Sequence, residues 1–494
     1  MISTHLPALQ VIVPLMAAPL IVLLRSGRAA WLIAAAVSAA SLACALGLLA
    51  RARAEGIVSY ALGNWPPPWG IEYRVDAVNA FVLVLVGLIA TIVVPFGRAS
   101  VADEVPAEKR YLFYAMLCLC LAGLNGIAIT GDAFNLFVFL EISSLSSYVL
   151  IALGRDRRAL VASFQYLIMG TIGATFIVIG VGLLYLQTGT LNMADIAARI
   201  DEARETRPVL AALAFLTVGI CLKLALFPLH MWLPNAYTYA PSVVTAFLAA
   251  TATKVSVYVL LRFWFTIFGQ SLVFERLPMP EIFLALSVLA MFVASGIAIY
   301  QRNLKRMLAY SSVGQIGYMT LGISLANVSG LTGSVVHLFN HGVTKGAMFV
   351  FAAGIAASAR TVDLDRLSGL AKRMPLTCAG LVIGGFSLIG VPATAGFITK
   401  WYLVLAGLER GSLILAALPA ASSLIAIAYM WRFVETVYMR DPHPGLADVK
   451  EAPLSLLIGG WLLIAICIYV GVDSAWTVEA AQRAAERLLV GVQG

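Results

Sequence analysis

The chain is a succession of long apolar runs separated by short polar breaks. A bilayer-spanning helix needs about 20 predominantly apolar residues. Fourteen runs qualify, centred near Leu15, Val37, Val86, Leu121, Ser143, Thr175, Val218, Thr251, Ala290, Met319, Gly346, Val391, Ile425 and Ile464. The pattern predicts an all-α polytopic membrane protein with about fourteen transmembrane helices. The first run lacks a basic leader and a small-residue cleavage site, so it is read as a retained span. Two runs are broken from within. Pro228, Pro234 and Pro241 interrupt the seventh span, and Gly390, Pro392 and Gly396 interrupt the twelfth. Broken helices are tolerated in a membrane where the backbone is buried in protein or lines a cavity, and in transporters they mark ion paths.

Composition agrees with this reading. With 61% hydrophobic and 12% charged residues, 494 residues carry too little polar surface for a soluble globule. The net charge of +8 would suggest nucleic acid in a soluble protein, but here the bases sit at span ends. Arg25, Arg98, Arg155, Lys305 and Lys372, with their basic neighbours, all fall in odd-numbered loops. The positive-inside rule then places odd loops inside and, with fourteen spans, both termini outside. The loop Gly63–Gly70, with Trp65, Trp69 and three prolines, reads as an interfacial aromatic turn. The six cysteines lie in apolar runs without ligand-like spacing, so neither a disulfide frame nor a metal site is expected.

The candidate chemistry is the set of charges inside spans, since an ionisable group at mid-membrane must face a partner or a hydrated cavity. Asp132 is placed to cap the fifth span, whereas Glu141 lies too deep for that job. Glu141 is either satisfied by Ser143, Ser144 or Ser147, or serves as a charge partner or proton site. Lys223 stands five residues before Pro228, and Lys254 lies in the middle of the eighth span. His230, beyond the first break, is open to two readings, a surface histidine or a relay member. In the eleventh span His337, His341 and Lys345 are spaced four apart and share one helical face. That stripe either stabilises helix packing or lines a hydrated proton path. Histidine suits the path because it exchanges protons near neutrality. A zinc-peptidase reading fails, because Leu338 occupies the position of the required glutamate. Lys400 follows the second break directly.

The runs NLKRMLAYSSVGQIGY, FPLHMWLPNAYTYAPS, HLFNHGVTKGAMF and GVPATAGFITKW resemble signature segments of the antiporter-like membrane subunits. That family is shared by respiratory complex I, membrane-bound hydrogenases and Mrp-type cation/proton antiporters, and FNLFVFLEISSLSSY looks most like the Mrp D-type subunit. The resemblance implies two inverted five-helix repeats, spans 4–8 and 9–13, each with a broken helix. It divides the chain into 1–110, 111–265, 280–440 and 450–494, the last holding span fourteen and a short amphipathic tail. It also assigns Glu141, Lys223, Lys254, His337, His341, Lys345 and Lys400 to a proton relay.

The expected function is therefore proton translocation within a multisubunit Na+ or K+/proton antiporter, in a bacterial or archaeal inner membrane. The alternative is a proton-pumping subunit of a complex I-like or hydrogenase-type complex. Partners implied are Mrp subunits A, B, C, E, F and G, protons, Na+ or K+, and lipid; no cofactor, metal or nucleic acid is implied. With Glu141 near, the Lys223 ammonium is favoured. When that partner is protonated or withdrawn, burial disfavours the charge and drives the proton onward.

Overall fold

In a bilayer the backbone has no water to pair with, so each apolar run closes its own hydrogen bonds as a helix. The structure, a computed structural model, describes residues 2–490. Among the described residues twelve helices are long and apolar enough to cross a membrane.

The N-terminal spans are α1 (Leu6–Leu24), α2 (Gly27–Glu55) and α3 (Ala77–Phe96). Between α2 and α3 the expected aromatic turn is a small antiparallel hairpin, β1 (Val58–Ala61) with β2 (Glu72–Val75), in which Val58 faces Val75. Trp65 and Trp69 are exposed at its tip. With four residues a side, the strands are too short to show as alternation in the sequence.

After the short α4 (Arg98–Glu104) come α5 (Arg110–Ile129), α6 (Ala133–Ala152) and α7 (Arg158–Thr188). Beyond the short α8 (Met193–Arg199), the seventh span is split into α9 (Arg207–Leu224) and α10 (Trp232–Tyr239), and α11 (Ser242–Leu261) follows. The same order then repeats. A span made of α12 (Met279–Leu289) and α13 (Ser295–Ile299) leads to α14 (Leu304–Leu325) and α15 (Val328–Ala359). A second split span, α16 (Pro375–Ile389) and α17 (Ala395–Glu409), precedes α18 (Leu413–Val434). Because each set has an odd number of spans, the second set crosses in the opposite sense to the first.

Two predicted spans lie outside the twelve, α14 and the α16–α17 pair, and they complete fourteen. The halves of the pair have 15 residues each. The polar helix α14 carries Lys305, Ser311, Ser312 and Gln315, and is viable because every residue from Leu304 to Leu325 except Arg306 is buried. It forms the centre with α11 and α15, whose residues are also buried nearly all round. By contrast α7 and α18 turn apolar residues such as Phe164, Ile168, Ile414 and Leu424 outward.

The last span, α19 (Leu454–Val472), is followed by α20 (Ala475–Val490). This is the expected amphipathic tail, and its apolar face is used within the bundle. Trp476 packs edge-on against Phe81 of α3 and Phe339 of α15, and Ala480, Ala481, Ala484 and Ala485 are buried.

Candidate functional site: a polar line across the bundle

Asp132 caps α6 as its position predicts, its carboxylate accepting from Asn135 N at 2.6 Å. Two and a half turns on, Glu141 Oε1 lies 3.5 Å from Lys223 Nζ on α9. Ser144, one of the three serines offered by the sequence, serves the lysine instead, accepting from Lys223 Nζ at 2.8 Å. The helices approach closely through paired glycines: a Cβ on Gly219 of α9 would fall 2.7 Å from Gly173 O of α7. The pair is unequal in burial. Lys223's side chain is 4% exposed and Glu141's 27%, although Oε1, the oxygen that faces Lys223, is itself buried.

The first break spans the residues between Leu224 and Trp232. Pro228 lies within it, but Pro234 does not interrupt the helix. It occupies the first turn of α10, where a missing N–H leaves no bond unmade. The Trp232 indole N–H fills one freed carbonyl, Leu222 O, at 2.9 Å. His230 is buried, stacked on Phe227 at 5.1 Å and facing Tyr310 of α14 at 6.3 Å, which removes the surface reading.

At the centre Lys254 Nζ donates to Ala249 O of its own helix and to Thr253 Oγ1 at 3.3 Å. Its helix packs along α15, where a Cβ on Gly342, next to His341, would fall 2.9 Å from Ala250 O of α11. On α15 the two histidine rings stack at 5.3 Å, and Lys345 Nζ donates to Leu308 O at 2.8 Å and Ser311 Oγ at 2.5 Å on α14. His337 Nδ1 meets Thr399 Oγ1 of α17 at 3.1 Å. His337 Nε2 and both nitrogens of His341 are buried with no protein partner.

Beyond Thr399, Lys400 turns back into the second break. Its Nζ donates to Leu388 O at 3.0 Å, Ile389 O at 2.6 Å and Ser423 Oγ at 2.6 Å, and it lies 4.9 Å above the Tyr318 ring. The ammonium thus occupies the carbonyl end of α16, where the helix dipole is negative.

The predicted residues fall into two groups, Glu141 with Lys223, and Lys254 with His337, His341, Lys345 and Lys400. Among the described residues no hydrogen bond joins Lys223 to Lys254. Between their helices Tyr237 of α10 donates to Leu248 O at 3.3 Å. Sequence reasoning missed Ser144 as the lysine's acceptor, and Ser311, Thr399 and Tyr318 altogether, because these residue types carry no signal until helices are packed. Among the described residues no cluster of His, Cys, Asp and Glu is arranged to hold a metal.

Residues 130–472 match the family described as NADH:quinone oxidoreductase/Mrp antiporter, TM. The chain belongs to this family of antiporter-like membrane subunits. It is 41% identical over 466 residues to the NADH-quinone oxidoreductase N subunit of Desulforudis audaxviator, covering 91% of this chain and 90% of that one. It is 30% identical over 437 residues to the Na(+)/H(+) antiporter D-type polypeptide of Alkalihalophilus pseudofirmus, covering 88% and 87%. A chain of the Mrp complex from Dietzia sp. superposes with a TM-score of 0.90 at 25% identity, over 99% and 98% of the two chains. This antiporter-like subunit is a proton-translocating membrane protein of the Mrp and complex I type. The family match includes every residue of the polar line and leaves α1–α5 and α20 outside it.

Proposed function

We propose that this chain is the proton-translocating subunit of a multisubunit monovalent cation (Na+ or K+)/proton antiporter. Its relay is Glu141, Lys223, Lys254, His337, His341, Lys345 and Lys400. The observation that carries the proposal is the placement of Glu141. A carboxylate only partly covered within a membrane span is costly unless something shields it, and this one sits 3.5 Å from a buried lysine at one end of the line. A neighbouring subunit packed over it would both shield the charge and change its grip on Lys223. Lys223 would then pass its proton toward the central histidines when Glu141 is protonated or screened. Lysine fits this work because its charge responds to burial, whereas arginine's does not.

Residues 111–265 and 280–440 act as the two repeats, with 1–110 and 450–494 as supports. The basic loops face the cytoplasm and both termini face outward across the cell membrane. The Mrp likeness favours antiport, and the relative from the NADH-quinone oxidoreductase favours a redox-driven complex. Purification of the complex from native membranes decides between them. Antiport predicts copurifying small membrane subunits and proton movement on adding Na+ or K+ without an electron donor. Copurifying iron–sulfur subunits, with proton movement only on electron supply, would overturn it.

A further inference from the structure

By sequence Lys305 is one of the loop bases that orient the chain, yet it is 4% exposed on the first turn of α14. Its Nζ donates to Ala240 O, just past α10, at 2.7 Å and to Ser242 Oγ at 3.4 Å. Ser242 Oγ in turn donates to Glu104 Oε2 at 3.1 Å. The same carboxylate accepts from Ser242 N at 2.9 Å and, through Oε1, from Ser100 Oγ at 2.5 Å. Three regions distant in sequence meet here: the end of α4, the start of α11 and the start of α14.

A cavity of about 170 Å³ lies over this junction, at the end of the bundle that carries the basic loops, and has room for several waters. The charged groups facing it are Glu104, Asp156, Arg158, Lys305 and Arg360. Asp156 is paired with Arg158 at 2.8 Å, and Arg360 with Asp103. Glu104 and Lys305 remain, joined only through the Ser242 hydroxyl. One turn further along α14, about 4.5 Å of helix rise, Leu308 O holds Lys345 Nζ. Helix α14 therefore runs from the cavity, at Lys305, to the lysine end of the His337–His341–Lys345 stripe, at Leu308.

We propose that this cavity is the intake port of the central relay, with Glu104 taking protons from water and Ser242 handing them to Lys305. The step balances within the triad. Protonated Glu104 gives its proton to Ser242 Oγ as Ser242 gives its own to a neutral Lys305 amine, leaving carboxylate, hydroxyl and ammonium. With Lys305 charged and Glu104 ionised, the bonds run from ammonium to hydroxyl to carboxylate, which is that product arrangement. Lys305 then discharges toward a neutral Lys345 and is ready to reload. The inference rests on reading the chain as proton-translocating.

A purely structural role is the competing account, since Lys305 caps α10 and Glu104 caps α11. Glu104→Gln separates them, because the amide keeps an acceptor for Ser242 N but cannot cycle a proton. In the whole complex in vesicles, Glu104→Gln is expected to slow proton movement about tenfold or more at parental subunit content, and Glu104→Asp to restore much of it. Ala356 on α15 lines the cavity wall. Ala356→Cys is expected to transport normally until a membrane-impermeant, charged methanethiosulfonate reaches it from the basic-loop side, and then to stop. The parent, whose one partly exposed cysteine is Cys44, is the labelling control. Parental transport by Glu104→Gln, or by fully labelled Ala356→Cys, overturns the port. If Glu141→Gln stops transport while Glu104→Gln does not, the port is wrong and the proton-translocating reading stands. If both run at the parental rate, that reading falls as well.

Discussion

Lys223 and the Ser144 hydroxyl it holds are 79 residues apart in the chain, and Glu141, one turn before Ser144, lies 3.5 Å from the same ammonium. Removing one member of a buried pair typically costs about 3–5 kcal/mol, because the survivor is left uncompensated. That cost falls mainly on Lys223, the buried member, and less on the partly exposed Glu141. Glu141→Gln is therefore expected to stop turnover, and Glu141→Asp, which keeps the charge, to retain part of it. Lys223→Ala should be as inactive as Glu141→Gln, and the double variant no worse than either, because parts of one unit are not additive. Cation-dependent proton movement in vesicles, with subunit content checked on the same membranes, measures all four. Near-parental transport by assembled Glu141→Gln would make the carboxylate a packing residue. Both residues were legible in the sequence as charges out of place in a span; that Ser144 serves the lysine and not the glutamate was not.

The two broken helices show how much an element can disclose. Proline and glycine marked both breaks, because a missing N–H or an absent side chain acts locally whatever surrounds it. What fills the freed carbonyls was not visible, since the groups come from elsewhere along the fold: an indole from Trp232 at the first break, an ammonium from Lys400 at the second. The charge also sits differently, at the end of α9 before the first break and within α17 after the second. Lys400→Ala is expected to abolish or strongly reduce transport while the complex still assembles. Lys400→Arg should restore the positive cap on Leu388 O and Ile389 O without restoring transport, since a guanidinium does not give up its proton. Parental transport by Lys400→Ala would reduce the residue to a helix cap.

For the whole molecule, the partly exposed Glu141 and the proposed place in a multisubunit complex lead to the prediction that the chain works only in an assembly. Vesicles holding this protein alone are expected to show no pH change on adding sodium or potassium, and robust antiport from the lone chain would remove the need for partners. The sequence by itself determined the number and order of spans, the two breaks and the charges within the membrane, because hydropathy, proline and charge are properties of short stretches. Tertiary structure decided which of those charges meet. It took Lys305 from the loops into a buried junction with Ser242 and Glu104, and let the polar helix α14 cross the bundle by surrounding it with protein. It also paired β1 with β2 and laid α20 against α3 and α15. The physical reason is the same in each case: the free energy of a buried polar group depends on partners brought from distant helices, and no local pattern records them.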